Sequence, residues 1–257
     1  MKNTIMLRKK IAESGLFQRN GKSFFKFFYR LLALLLLALY ITPALSSDKY
    51  QYEYFESQLG HFKELTLGRY ADNNDKRILK WVNDINIFVK GDIPATLDNE
   101  LDSIIVEINN IVSNIKLKKV IVEEKANYFI YLGPAEEYLS IEPSYTRDML
   151  EKGGTFNIYY NSDNEIIEGS MYINTFRYEN SKLRKNLLRK LLTGSLGFPY
   201  ESRNHEYADS IFSGARFREA ILNYSNFDKT IIKKLYSKCV KAGMDKFELD
   251  NVLLNGC

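Results

Sequence analysis

Apolar residues alternate with polar ones over several short stretches, and this spacing predicts the strands of a sheet. Between Leu79 and Val89, the apolar residues Ile85, Ile87 and Val89 lie two positions apart, which is typical of a half-buried strand. Shorter apolar runs predict two buried strands and then a strand pair joined by a polar turn. These further strands are expected over residues 120–122, 127–132, 155–160 and 166–174.

Apolar residues three and four positions apart predict helices elsewhere in the chain. A long amphipathic helix is expected over residues 97–115, and a second one begins near Ser181 and is ended by Gly197. Two C-terminal helices are expected to begin after the capping residues Ser225 and Asp245. Because no linker or repeat interrupts the region after residue 46, we predict one α+β domain over residues 47–257.

The charge of the chain is concentrated in its first 30 residues. The whole sequence carries a net charge of +4, but eight basic residues and only one acidic residue precede position 31. The remainder has 28 basic and 31 acidic residues, so it is slightly acidic. A nucleic-acid partner is therefore not expected.

An uncharged apolar run over residues 31–45 follows this basic segment. It is shorter than the roughly 20 residues of a spanning helix, which favours a signal peptide cleaved before Ser47. An uncleaved anchor is the alternative, because the phenylalanines of residues 24–28 can extend the span. In either case residues 1–46 contact the membrane, and the domain is expected outside the cytoplasm. It is then either a periplasmic domain or an extracytoplasmic domain anchored to the membrane.

The chain has two cysteines, Cys239 and Cys257, and both lie near its C-terminus. Export would allow them to pair as a disulfide. One buried and one free thiol is the alternative.

A zinc site is the first kind of site to consider. The predicted long helix, sheet and glycine-terminated helix follow the order of these elements in a metalloprotease. The pattern HExxHxxGxxH supplies two histidines one helical turn apart, a general base and a third ligand. The chain has only His61 and His205, which are too far apart to share that helix. If Gly197 is aligned with the glycine of the pattern, its ligand and base positions hold Lys190, Leu191, Gly194 and Tyr200. We therefore predict no catalytic residue, metal or cofactor on this helix.

Several short motifs carry a resemblance to a known family. They are Leu-Arg-Lys-Leu-Leu-Thr-Gly-Ser-Leu-Gly at 188–197, Asp-Ser-Ile-Phe at 209–212, Asp228, Leu-Tyr at 235–236 and Gly-Met at 243–244. The stretch 79–244 resembles a family of bacterial exported proteins, domain of unknown function 2927, which is thought to be related to zincin-type proteases. The resemblance implies a zincin-like mixed sheet with a long N-terminal helix, a central degenerate active-site helix and C-terminal helices. Family members tend to carry glutamates and a glutamine where this chain has Lys190, Leu191 and Gly194.

Three hypotheses for function follow. In the first, the domain is a catalytically inactive, protease-like module of the cell envelope. It binds a peptide or protein in a groove between the sheet edge near Met171 and the helix from Ser181. In the second, it is an active hydrolase with an atypical site at His205, Glu206 and Asp209, the cluster that could hold a metal or relay a proton. In the third, it is an envelope scaffold without a ligand.

Overall fold

A computed structural model describes most of the domain. The described residues are Arg30, 57–68, 76–91, 93–142, 145–146, 150, 153–176, 180–202, 207–214 and 220–255. The chain divides into two compact units, Met1–Ser57 and Gln58–Cys257, and the fold below is that of the second. Within the described ranges, every helix is too short or too polar to cross a bilayer. The predicted export segment lies outside them.

A mixed sheet forms the centre of the second unit. Its strands in the described ranges are β1 (Lys80–Trp81), β2 (Ile85–Lys90), β3 (Leu117–Lys119), β4 (Tyr128–Leu132), β5 (Gly154–Tyr160) and β6 (Glu165–Ile173). From one edge to the other the order is β5, β6, β4, β2, β3, and β1 pairs with the start of β6. Every pair is parallel except that of β5 with β6. Strand β5 is therefore an antiparallel edge strand.

Helices pack against both faces of this sheet. They are α1 (residues 57–67), α2 (Ala95–Ile111), α3 (Ala135–Ile141), α4 (Ser181–Gly194), α5 (Asn226–Leu235) and α6 (Lys246–Leu254). The long helix α2 contacts α4, and α4 contacts β5 and β6. The predicted α+β class is confirmed, with its mixed sheet, long helix, central helix and C-terminal helices.

Two predicted boundaries were wrong because a side chain turns the chain earlier than the periodicity suggested. Helix α2 ends at Ile111, and Asn109 then bonds both the N–H and the carbonyl of Leu117, each at 2.9 Å. This clamp brings residues 117–119 beside β2 as a parallel strand. The predicted strand at 120–122 therefore does not form, and Ile121 is 96% exposed.

Helices α2 and α4 are joined by a buried ion-pair network as well as by apolar packing. Arg189 of α4 donates to Glu100 at 2.7 and 3.1 Å and to Glu107 at 3.0 Å. Its guanidinium also lies 4.7 Å from the centre of the Tyr224 ring. The network fixes the rotation of α4 about its own axis and its position along α2. It thereby determines which residues of α4 face β5.

The sequence placed the sheet edge near Met171, and this was wrong. Met171 lies in β6, is fully buried and is paired with Ile130 of β4 on one side and Phe156 of β5 on the other. The order of strands depends on long-range pairing, which periodicity does not reveal. The edge beside α4 is β5.

Candidate functional site

The site most relevant to function lies where α4 ends beside β5. The turn after α4 contains Gly197 at φ +117°, a conformation that favours glycine. A Cβ at this position would collide with the carbonyl oxygen of Leu79. The Phe198 N–H then closes the turn on the Gly194 carbonyl at 2.8 Å. Gly197 thus ends the central helix region as the sequence predicted.

Lys190 occupies the position of the first histidine of the zinc pattern, and it is bonded to the loops that follow α4. Its ammonium lies 2.7 Å from the carboxylate of Glu201 and donates to the Ser213 carbonyl at 2.8 Å. The next residue, Leu191, is buried in the core at the position of the general base. A cation and an aliphatic side chain therefore replace a ligand and a base.

Gly194 and Tyr200 occupy the remaining positions of the pattern. A Cβ on Gly194 would lie 2.7 Å from the ring of Phe156, so the edge strand packs directly on the helix backbone. The Tyr200 ring lies over Gly68, and the Lys76 ammonium is 5.4 Å from its centre. An ammonium, a leucine and a glycine offer no lone pair to a zinc ion. These positions do not fit the metal of the zinc pattern.

The atypical cluster proposed from the sequence is only partly within the described residues. His205 and Glu206 lie outside them, whereas Asp209 is exposed on the loop 207–214. The convergence of the three side chains therefore stays a prediction. Within the described ranges, no group of three or more histidine, cysteine, aspartate or glutamate side chains could hold a metal ion.

The loop that carries Asp209 is anchored by its next residue. Ser210 donates to the buried carboxylate of Asp228 at 2.6 Å, and the Ile211 N–H approaches the same oxygen at 3.3 Å. Asp228 also closes the capping box of α5 with Ser225. Burial raises the pKa of Asp228, and the hydrogen bonds from Ser210 and Ser225 oppose that shift. One carboxylate thus joins the loop to the start of α5.

His61 is a buried polar residue that sequence reasoning did not single out as a site. Its ring lies 3.9 Å from the centre of Tyr207 and 5.1 Å from that of Phe227, and its side chain is fully buried. Among the described residues neither ring nitrogen has a hydrogen-bond partner, and the carboxylate of Glu64 is 3.9 Å away. Desolvation lowers the pKa of His61 to about 4, although Glu64 opposes the shift.

Cys239 is disulfide-bonded and lies 3.6 Å from the Ser237 hydroxyl. The other cysteine of the sequence, Cys257, lies outside the described residues. The pairing of Cys239 with Cys257 therefore stays a prediction.

The order of a long helix, a mixed sheet and a glycine-terminated helix defines an α+β domain. A sequence profile of the family described as "Protein of unknown function (DUF2927)" matches residues 56–255. The chain belongs to this family, and the resemblance found in its motifs is confirmed.

Comparison with other proteins adds a distant structural likeness. A crystal structure of myroilysin is 11% identical, with a TM-score of 0.39 over 62% of this chain and 86% of that chain. A second structure of myroilysin is 12% identical, with a TM-score of 0.40 over 62% of this chain and 82% of that chain. A search of curated proteins gave no match.

Proposed function

We propose that this domain is a non-catalytic, protease-like binding module that holds an extended peptide along the outer edge of β5. The observation that carries the proposal is the position of β5. It is the antiparallel edge of the sheet, directly beside α4. An exposed edge strand can add a peptide as a further strand, with main-chain hydrogen bonds providing much of the affinity.

The hydrogen bonds around β5 indicate which of its backbone groups face away from β6. The Phe156 carbonyl accepts a hydrogen bond from the Tyr145 hydroxyl at 3.1 Å, and the Ile158 N–H donates to the Asn157 side chain at 3.1 Å. Alternate residues of an antiparallel strand bond to the neighbouring strand. Residues 156 and 158 are therefore the ones whose backbone groups would meet a peptide, and side chains cover two of these groups.

The residues of α4 support the non-catalytic part of the proposal. Lys190, Leu191 and Gly194 cannot supply the ligands and base of zinc-dependent peptide hydrolysis. Phe156 packs on Gly194, so the edge strand and the helix remain in contact without a metal between them. Such a scaffold would keep a protease's hold on an extended chain while lacking its chemistry.

The envelope location is part of the same proposal. It is supported by the basic segment before residue 31 and the uncharged apolar run over 31–45. These features are typical of export, with membrane contact through the N-terminal segment. The expected partner is thus a peptide or protein of the envelope.

The experiment that tests peptide binding uses the hydroxyl that covers the edge. Binding of a fluorescein-labelled, blocked octapeptide of alternating threonine and valine would be measured by fluorescence anisotropy with the full chain. Tyr145→Phe removes the bond to the Phe156 carbonyl and frees an acceptor for the peptide. We expect binding to tighten by about three- to tenfold, the value of one hydrogen bond.

Tyr159→Phe is the matched control, because its hydroxyl donates at 2.7 Å to Glu142 and not to the edge of β5. Its affinity for the octapeptide should equal that of the unmodified chain. Equal affinities for all three proteins would argue against edge binding. An absence of binding in all three would favour a scaffold without a ligand.

A further inference from the structure

The outer face of the sheet, opposite α4, carries a pocket of about 430 Å³. Phe156 points from β5 toward α4, so Tyr159, three residues further on, points to the other face. Tyr159 is in register with Glu168 of β6, and Phe129 of β4 is in register with Ser170. The walls of the pocket are three aromatic rings and three carboxylates: Phe129, Tyr131, Tyr159, Glu123, Glu142 and Glu168.

The floor of this pocket is a buried carboxylate whose partners are neutral. Glu142 is only 8% exposed, and it accepts hydrogen bonds from the Tyr159 hydroxyl at 2.7 Å and the Ser170 hydroxyl at 2.8 Å. Tyr138 lies 3.1 Å from the Ser170 hydroxyl and completes a chain of donors. No lysine or arginine in the described ranges pairs with Glu142. Carboxylates buried to this degree are normally paired with a cation, and the described residues supply none to Glu142.

A lysine at the rim of the pocket shows that its aromatic rings can contact an alkylammonium group. The Lys90 ammonium lies 5.7 Å from the centre of Phe129 and 5.5 Å from that of Tyr131, and it pairs with Glu123. An alkylammonium group is thus already held between aromatic faces and a carboxylate on this surface. Lys90 engages Glu123 and leaves Glu142 and Glu168 for a second cation.

We propose that this pocket binds an alkylammonium group, such as a lysine side chain or a free diamine. The aromatic walls attract an organic cation through their π faces, and Glu142 and Glu168 supply the opposite charge. A bare metal ion fits less well, because the carboxylates in the described ranges do not converge as a ligand group. The site is separate from the edge of β5 and does not depend on the peptide proposal.

The test is saturation-transfer difference NMR with the full chain, which detects weak ligands directly. The probes are N-acetyl-lysine methylamide and cadaverine, and the neutral control is N-acetyl-norleucine methylamide. We expect saturable binding of at least one cation and none of the neutral compound. Tighter binding of the blocked lysine would identify a protein side chain as the source of the alkylammonium group. Tighter binding of cadaverine would identify a free diamine as the ligand.

Charge-removing variants locate the bound probe. Glu142→Gln should weaken binding about tenfold, because it removes the charge of a buried acceptor. Glu168→Gln alters an exposed side chain without threatening the fold and should weaken binding about two- to fivefold. The control Glu124→Gln removes a neighbouring charge that does not line the pocket. Equal binding of the neutral probe, no binding of either cation, or affinity unchanged in both pocket variants would overturn the proposal.

Discussion

Replacement of His61 by phenylalanine should make the domain more resistant to acid. His61 lies between the rings of Tyr207 and Phe227, and desolvation holds its pKa near 4 in the folded chain, against 6.5 for an ordinary histidine. Between about pH 6.5 and 4, His61 is therefore protonated in the unfolded chain but neutral in the folded chain. Stability is complete above about pH 6.5 and declines as pH falls toward 4, where the loss levels off.

The size of the effect follows from the difference in pKa. A displacement from 6.5 to about 4 corresponds to an upper limit of roughly 3 kcal/mol in the free energy of unfolding. Phenylalanine cannot take up this proton and keeps an aromatic ring in the stack. It also removes two buried nitrogens that have no hydrogen-bond partner among the described residues, which should add about 1–3 kcal/mol at neutral pH.

The assay is urea unfolding at pH 7.5, 5.5 and 4.5, followed by the fluorescence of Trp81, the single tryptophan. The His61→Phe variant should be the more stable protein at every pH and should lose less stability between 7.5 and 4.5. Glu64→Gln is a control for the sign. Because Glu64 raises the pKa of His61, its neutralisation should lower that pKa further and extend the acid loss below pH 4, which unfolding at pH 3.5 would show. If His61→Phe is destabilised at pH 7.5 and keeps the original acid loss, the reasoning fails.

Three further substitutions test the packing of the site, each by urea unfolding at neutral pH. Arg189→Met should cost about 3–5 kcal/mol, because it leaves the buried Glu100 with only a distant partner; a cost below 1 kcal/mol would contradict the role of the network. Gly194→Ala should cost about 1–3 kcal/mol, because its methyl group meets Phe156. Gly60→Ala in α1 has no atom within 4 Å of the new methyl group and should stabilise by about 0.5–1 kcal/mol. Equal effects of the two glycine variants would refute the proposed contact.

Local spacing predicted the elements of this fold because burial of a face follows directly from side-chain periodicity. The alternation of Ile85 and Ile87 gave β2, and the three- and four-residue steps gave α2 and α4. The pairing of the strands is set by contacts between distant parts of the chain. Met171 was therefore placed at an edge although β5 and β4 enclose it.

The candidate sites divide in the same way. Lys190 and Gly194 were found by position within one helix, so the sequence alone showed that other residues occupy these positions of the zinc pattern. His61 was missed because its two ring partners, Tyr207 and Phe227, lie far along the chain. The pocket around Glu142 was missed because three strands and the residue after α3 assemble it. A buried carboxylate that pairs with none of the described cationic side chains is recognisable only when these elements are assembled.

The most direct test of the central proposal is the state of the peptide after binding. The full chain would be incubated with the labelled octapeptide and Zn²⁺, and the peptide recovered from the complex would be analysed by mass spectrometry. The proposal predicts an intact peptide that co-elutes with the protein. Cleavage that disappears in a His205→Ala, Glu206→Ala variant would contradict it and identify the domain as a hydrolase.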